Sequence, residues 1–146
     1  MSKPGALAQN TLIKQARVHT YYELCVIHTE PERPSQLSET LEAVKALVAA
    51  RQVRISEHGY DEIAEDGIYV RDVLAGVDKA TVAEDYPTFP KGRAVLVLQF
   101  DKDSRPIHVV WGIPKGFTFP AVVVTAYRPD PERWDRTFTK RRGKDE

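Results

Sequence analysis

Cysteine occurs once in the 146 residues, at Cys25. One thiol can form neither an internal disulfide nor a cysteine-clustered zinc site, and it fits a reducing compartment, so Cys25 reads as a structural residue. Charge of one sign is missing as well: 21 Lys and Arg balance 21 Asp and Glu, for a formal net charge of zero. Affinity for nucleic acid would have to come from local clustering rather than from a global field. No apolar run is long enough to cross a bilayer, and the first thirty residues lack the uncharged apolar core of a signal peptide. The expectation is a cytoplasmic protein with no membrane partner. Walker loops, glycine-rich dinucleotide fingerprints, nucleophile elbows and metalloprotease His-Glu pairs are all absent, so no cofactor and no metal is expected.

What is present is the composition of a globular domain, 42% hydrophobic and 29% charged, at a length that suits one core. Three apolar stretches between Arg93 and Trp134 predict an antiparallel β-meander, with strands over about 94–100, 107–113 and 121–128 and a charged edge strand over about 79–86. Residues 94–100 are apolar at nearly every position and are expected at the centre of the sheet. In the next strand, alternation sets Ile107, Val109, Trp111 and Ile113 against His108 and Val110; in the last, it groups Ala121, Val123, Thr125 and Tyr127.

Three helices precede the meander, over about 37–50, 57–66 and 69–76. Leu37, Leu41, Val44 and Val48 recur at helical spacing behind Ser38. Val53 to Ile55 is extended, and Ser56 caps the second helix, with Ile55 and Tyr60 at staple positions. Gly67-Ile68 suits a Schellman stop, and Gly76 is expected to end the third helix. Glu-Pro-Glu-Arg-Pro at 30–34 cannot continue a helix or a central strand. The fold class is therefore α+β, as a single domain over 35–136. Residues 1–34 form an N-terminal extension, partly flexible or adding a strand over 20–28, and 137–146 a basic flexible tail.

Candidate chemistry lies in polar residues that interrupt this pattern. His58 falls in the first turn of a helix, where the dipole favours neutral imidazole and free backbone donors bind anions, although it could simply bond locally. His108, between Ile107 and Val109, is either a general acid or base or a hydrogen-bonded core histidine. Arg93, following Lys91-Gly92, could hold a phosphate bidentately or be solvated. Thr125, Tyr127 and Lys91 complete the set as candidate substrate contacts. Tyr127 and Trp134 read more readily as packing residues than as stacking platforms. His58 and Glu62 also have metal-ligand spacing, completed only if His108 arrives from the sheet; the plainer reading is a solvent-facing pair.

The segments ISEHGYDEIAEDGIYVRDVLAGV, EDYP, KGRAVLVLQF, RPIHVVWGI and VVVTAYRPDPERW, in that order, resemble the bacterial domain-of-unknown-function family 4258 over about Leu37 to Asp135. The resemblance implies a small α+β domain similar to RelE-type and BrnT-type toxins, which are metal-independent ribonucleases, with RNA and an antitoxin-like protein as partners. The family's polar positions fall on His58, Arg93, His108, Thr125, Tyr127, Asp130 and Trp134. Carried over, His58 and His108 would exchange protons with the 2′-hydroxyl and the leaving oxygen, and Arg93 would stabilise the phosphate. Two departures stand against this: Gly59 replaces alanine, and Asp66-Gly67 replaces an Arg-Gly turn. The alternative is a non-catalytic protein-interaction module in which the polar motif is a buried structural network. The two readings part on whether His58, Arg93 and His108 converge on one cleft.

Overall fold

A computed structural model describes residues 38–143. The extension at 1–34 and the strand expected over 20–28 lie outside the described residues. Ser38 opens α1 (Glu39–Ala49) by accepting from the Leu41 amide at 3.1 Å, with Glu39 and Glu42 in the first turn, where acids favour the positive dipole end. Strand β1 (Val53–Ile55) leads into α2 (Glu57–Glu65). The Ser56 hydroxyl accepts from the Gly59 amide and donates to the Val124 carbonyl, both at 2.9 Å, so one side chain caps the helix and ties it to the sheet.

The end of α2 is the Schellman turn its sequence predicts: Gly67 has φ +65°, and the Ile68 amide reaches the Ile63 carbonyl at 2.9 Å. The expected staple is less complete, because Tyr60 is 55% exposed. Helix α3 (Val70–Gly76) ends at Gly76 as expected, and a 3-10 turn at Val77–Lys79 follows directly. Gly76 also permits a close approach. A Cβ there would lie 2.9 Å from Gln99 Nε2, and that amide donates to the Val73 carbonyl at 2.8 Å.

Strands β2 (Thr81–Tyr86), β3 (Ala94–Phe100), β4 (Pro106–Gly112) and β5 (Ala121–Tyr127) form the meander, with β2 on the edge. The sheet is nevertheless mixed and has five strands, in the order β1-β5-β4-β3-β2, because β1 joins β5 in parallel with Val53 opposite Ala121. The central strand is β4, not β3. The apolar pattern of β3 records cover on both faces, which an off-centre strand has equally.

All three helices cover one face. Leu41, Val44, Ile63 and Val73 pack there against Val95, Val97, Ile107, Val109, Trp111 and Val123. Alternation holds through β4 but breaks in β5, where Thr125 faces Val110 and Val123 faces Trp111, leaving Val124 as an extra residue. This bulge moves Ala121 and Val123 to the helix face and keeps Thr125 and Tyr127 on the other.

Candidate functional site

The second face carries Tyr86, Ala94, Leu96, Val110 and Tyr127, and part of it is roofed by residues 128–143 through Trp134 and Phe138. Within the basic tail expected from 137 onward, Phe138 packs on the sheet and Arg141 is ion-paired, while Thr137, Lys140, Arg142 and Gly143 are exposed. Asp130 accepts backbone bonds from Arg133 and Trp134, Asp135 Oδ1 gathers the amides of Thr137 and Thr139, and Trp134 bridges to Arg141. Trp134 and Phe138 then close on the sheet. Arg141 fastens the roof to β2, with Nε 2.7 Å from Glu84 Oε2 and its guanidinium 4.9 Å from the Trp134 ring centroid. Burial opposes that charge, but the Glu84 hydrogen bond and carboxylate outweigh it and hold the Arg141 pKa above its ordinary value.

His108 lies beneath this roof with no exposed surface. Its Nε2 is 2.7 Å from the Phe138 carbonyl and its Nδ1 is 3.3 Å from the Tyr127 hydroxyl. A carbonyl can only accept, so Nε2 carries the proton, and Nδ1 is left to accept from Tyr127. The Trp134 ring stands edge-on at 4.4 Å between centroids. Burial pushes the His108 pKa down to about 4, against the Phe138 bond and aided by the Arg141 charge. Burial likewise drives the Tyr127 hydroxyl well above its ordinary value, with the Glu84 and Glu62 carboxylates adding to the effect. Thr125 is buried opposite Val110, and its hydroxyl has no hydrogen-bond partner among the described residues.

His58 pairs with Glu62 rather than with His108: its Nε2 is 3.1 Å from Glu62 Oε1 across one helical turn. Only half of the expected solvent-facing pair holds: the His58 side chain is 38% exposed, whereas Glu62 is buried at 1%. Among the described residues no three metal-ligating side chains cluster.

Arg93 is at the other end of the sheet. Its carbonyl receives the Ile113 amide, which places it five residues along β4 from His108, roughly 16 Å at the usual rise of about 3.3 Å per residue. There Arg93 and Lys91 line two adjoining recesses of about 340 and 310 Å³, and neither His58 nor His108 lines either one. The fold therefore groups His108, Tyr127 and Trp134 in one buried network and leaves the buried Thr125 hydroxyl outside its hydrogen bonds. It sets His58 against Glu62 on α2 and leaves Arg93 and Lys91 on a separate surface. Glu84, Phe138 and Arg141, which complete the network, carry no local sequence signal. Lys115 does: its Pro-Lys-Gly repeats the Pro-Lys-Gly around Lys91.

Residues 55–128 match the family described as Domain of unknown function (DUF4258). No curated protein and no solved structure matches the chain.

Proposed function

The chain belongs to the DUF4258 family, and we propose that it works there as a non-catalytic protein-interaction module. One observation carries the reading. His108, the residue a nuclease would need for proton transfer, has no exposed surface, and both ring nitrogens are engaged within the fold. A general acid or base must come within hydrogen-bond reach of its substrate, and the 128–143 roof stands in the way. Its low pKa keeps it neutral, and Arg93 lies too far off to stabilise a phosphate at the same centre. Buried polar bonds of this kind, with both His108 nitrogens satisfied, favour one arrangement of the core. What remains open for recognition is the uncovered part of the second face.

The test is RNA integrity and thermal melting on the purified chain, with His58→Ala, Arg93→Ala and His108→Gln. RNA should stay intact with every chain. His108→Gln should lower Tm by about 5 °C or more, while Arg93→Ala stays within about 2 °C of wild type. RNA cleavage by the wild type that Arg93→Ala or His58→Ala abolishes at unchanged Tm would overturn the reading.

A further inference from the structure

Two turns of the same sequence, Pro90-Lys91-Gly92 and Pro114-Lys115-Gly116, meet at the end of the sheet remote from His108. The Gly92 amide closes the first on the Phe89 carbonyl at 3.0 Å, and the Phe117 amide closes the second on the Pro114 carbonyl at 3.1 Å. The Lys115 amide then donates to the Lys91 carbonyl at 3.1 Å, locking the turns side by side. Only glycine allows this approach at position 92, where φ is +125° and a Cβ would stand 2.2 Å from the Ile113 carbonyl oxygen.

The locked turns present two adjoining recesses. The one of about 310 Å³ is lined by Ala94, Gly112, Val122 and Val124, the part of the second sheet face outside the roofed network, together with Phe89, Arg54 and Lys91. The other, of about 340 Å³, lies between the turns beside Arg93 and Lys115. No ion pair engages Arg54, Lys91, Arg93 or Lys115 among the described residues. Arg128 and Arg141, by contrast, are paired with Asp101 and Glu84.

We propose that this surface docks an extended acidic segment of a partner protein, with an apolar side chain in the apolar groove and flanking carboxylates on the four cations. The proposal rests on the interaction-module reading and names its partner chemistry. Exposed ion pairs contribute little each, so a purely polyanionic ligand would be held weakly; the apolar lining supplies the non-directional part and the cations the orientation. Nucleic acid fits less well. Phe89 lines both recesses and Phe117 the second, so bases would find aromatic faces to stack on. What counts against a polyanion is the zero net charge, which supplies no long-range attraction, and oligouridylate binding decides between the two.

Fluorescence anisotropy on the full chain tests this, with three probes: a labelled decapeptide alternating Glu with Leu and Val, its Lys-for-Glu analogue, and a labelled oligouridylate. The Glu peptide alone should bind, more weakly as salt is raised. The double variant Lys91→Glu, Lys115→Glu should weaken it at least about tenfold, and so should Val124→Glu in the groove. Lys79→Glu, Lys102→Glu changes the net charge equally but elsewhere, and should leave binding unchanged. Melting of each variant confirms that it is folded. The proposal is overturned if the Glu peptide does not bind, if the remote charge reversal weakens it as much, or if the oligouridylate binds more tightly through the same residues. RNA integrity in the same preparations separates the two readings. Intact RNA without peptide binding removes only the acidic partner, whereas cleaved RNA removes the interaction module itself.

Discussion

The imidazole Nε2 of His108 lies 2.7 Å from the carbonyl oxygen of Phe138, thirty residues further along the chain. That bond joins the central strand to the roof over it, so a side chain that looked available for chemistry is a fastening inside the fold. Its consequences can be measured.

The first is a dependence of stability on pH. Burial lowers the His108 pKa from 6.5 to about 4 in the folded chain, so the unfolded chain takes up this proton more readily. The stabilisation is complete above about pH 6.5, is lost as pH falls toward 4, and levels off below. Over the whole window it is worth about 3 kcal/mol. Guanidinium unfolding from pH 7.5 to 4 should show this loss in the wild type and a smaller one in His108→Gln, with carboxylate titration common to both. Parallel curves for the two chains would mean that His108 does not titrate in this way.

On the opposite face, Gln99 accepts from the Trp111 indole at 2.9 Å while donating to the Val73 carbonyl at 2.8 Å. It therefore satisfies a buried donor from the sheet and an acceptor near the end of α3 together. Gln99→Leu should destabilise by about 2–4 kcal/mol, because both groups stay buried without partners. Denaturant midpoints at constant slope check it; a loss below about 0.5 kcal/mol would contradict this role.

Gly67 and Gly92 both have positive φ, +65° and +125°, yet they should respond differently to alanine. Nothing lies within 4 Å of a Cβ at Gly67, so Gly67→Ala meets only the left-handed backbone penalty of about 1 kcal/mol. At Gly92 the added carbon also strikes the backbone of Ile113 and Lys115, and the loss should exceed about 2 kcal/mol. Paired thermal melts would reverse this account if Gly67→Ala were the more harmful.

Arg141 meets Glu84 through two nitrogens, at 2.7 and 3.2 Å, while the Tyr86 hydroxyl donates to the same carboxylate at 2.9 Å. A double-mutant cycle with Glu84→Gln and Arg141→Met should give a coupling of about 1–2 kcal/mol. Partial burial should preserve much of it in 1 M salt, roughly the concentration that screens exposed pairs. A coupling near zero would show that the roof is held by Trp134 and Phe138 alone.

The elements that could be read in advance are those whose causes lie within a few residues. Ser56 and Gly67-Ile68 mark both ends of α2 through bonds spanning three to five positions. The alternation in 107–113 correctly sends Trp111 toward the helices and His108 away. In β5 the same rule fails after Val123, because the Val124 bulge is set by pairing with β4 rather than by the strand's own sequence. Val53–Ile55 reads as extended, but its place in the sheet depends on Ala121–Val123, almost seventy residues away.

The candidate site divides along the same line. Sequence by itself determined the α+β class, the caps, the strands and which polar residues break an apolar pattern, since each depends on local geometry and periodicity. Only the tertiary structure decided their company: His108 with Phe138 and Tyr127, His58 with Glu62, and Lys91 with Lys115. Those partners lie between four and thirty residues apart, and contacts across the longer separations follow from how the sheet pairs and how the chain folds back over it.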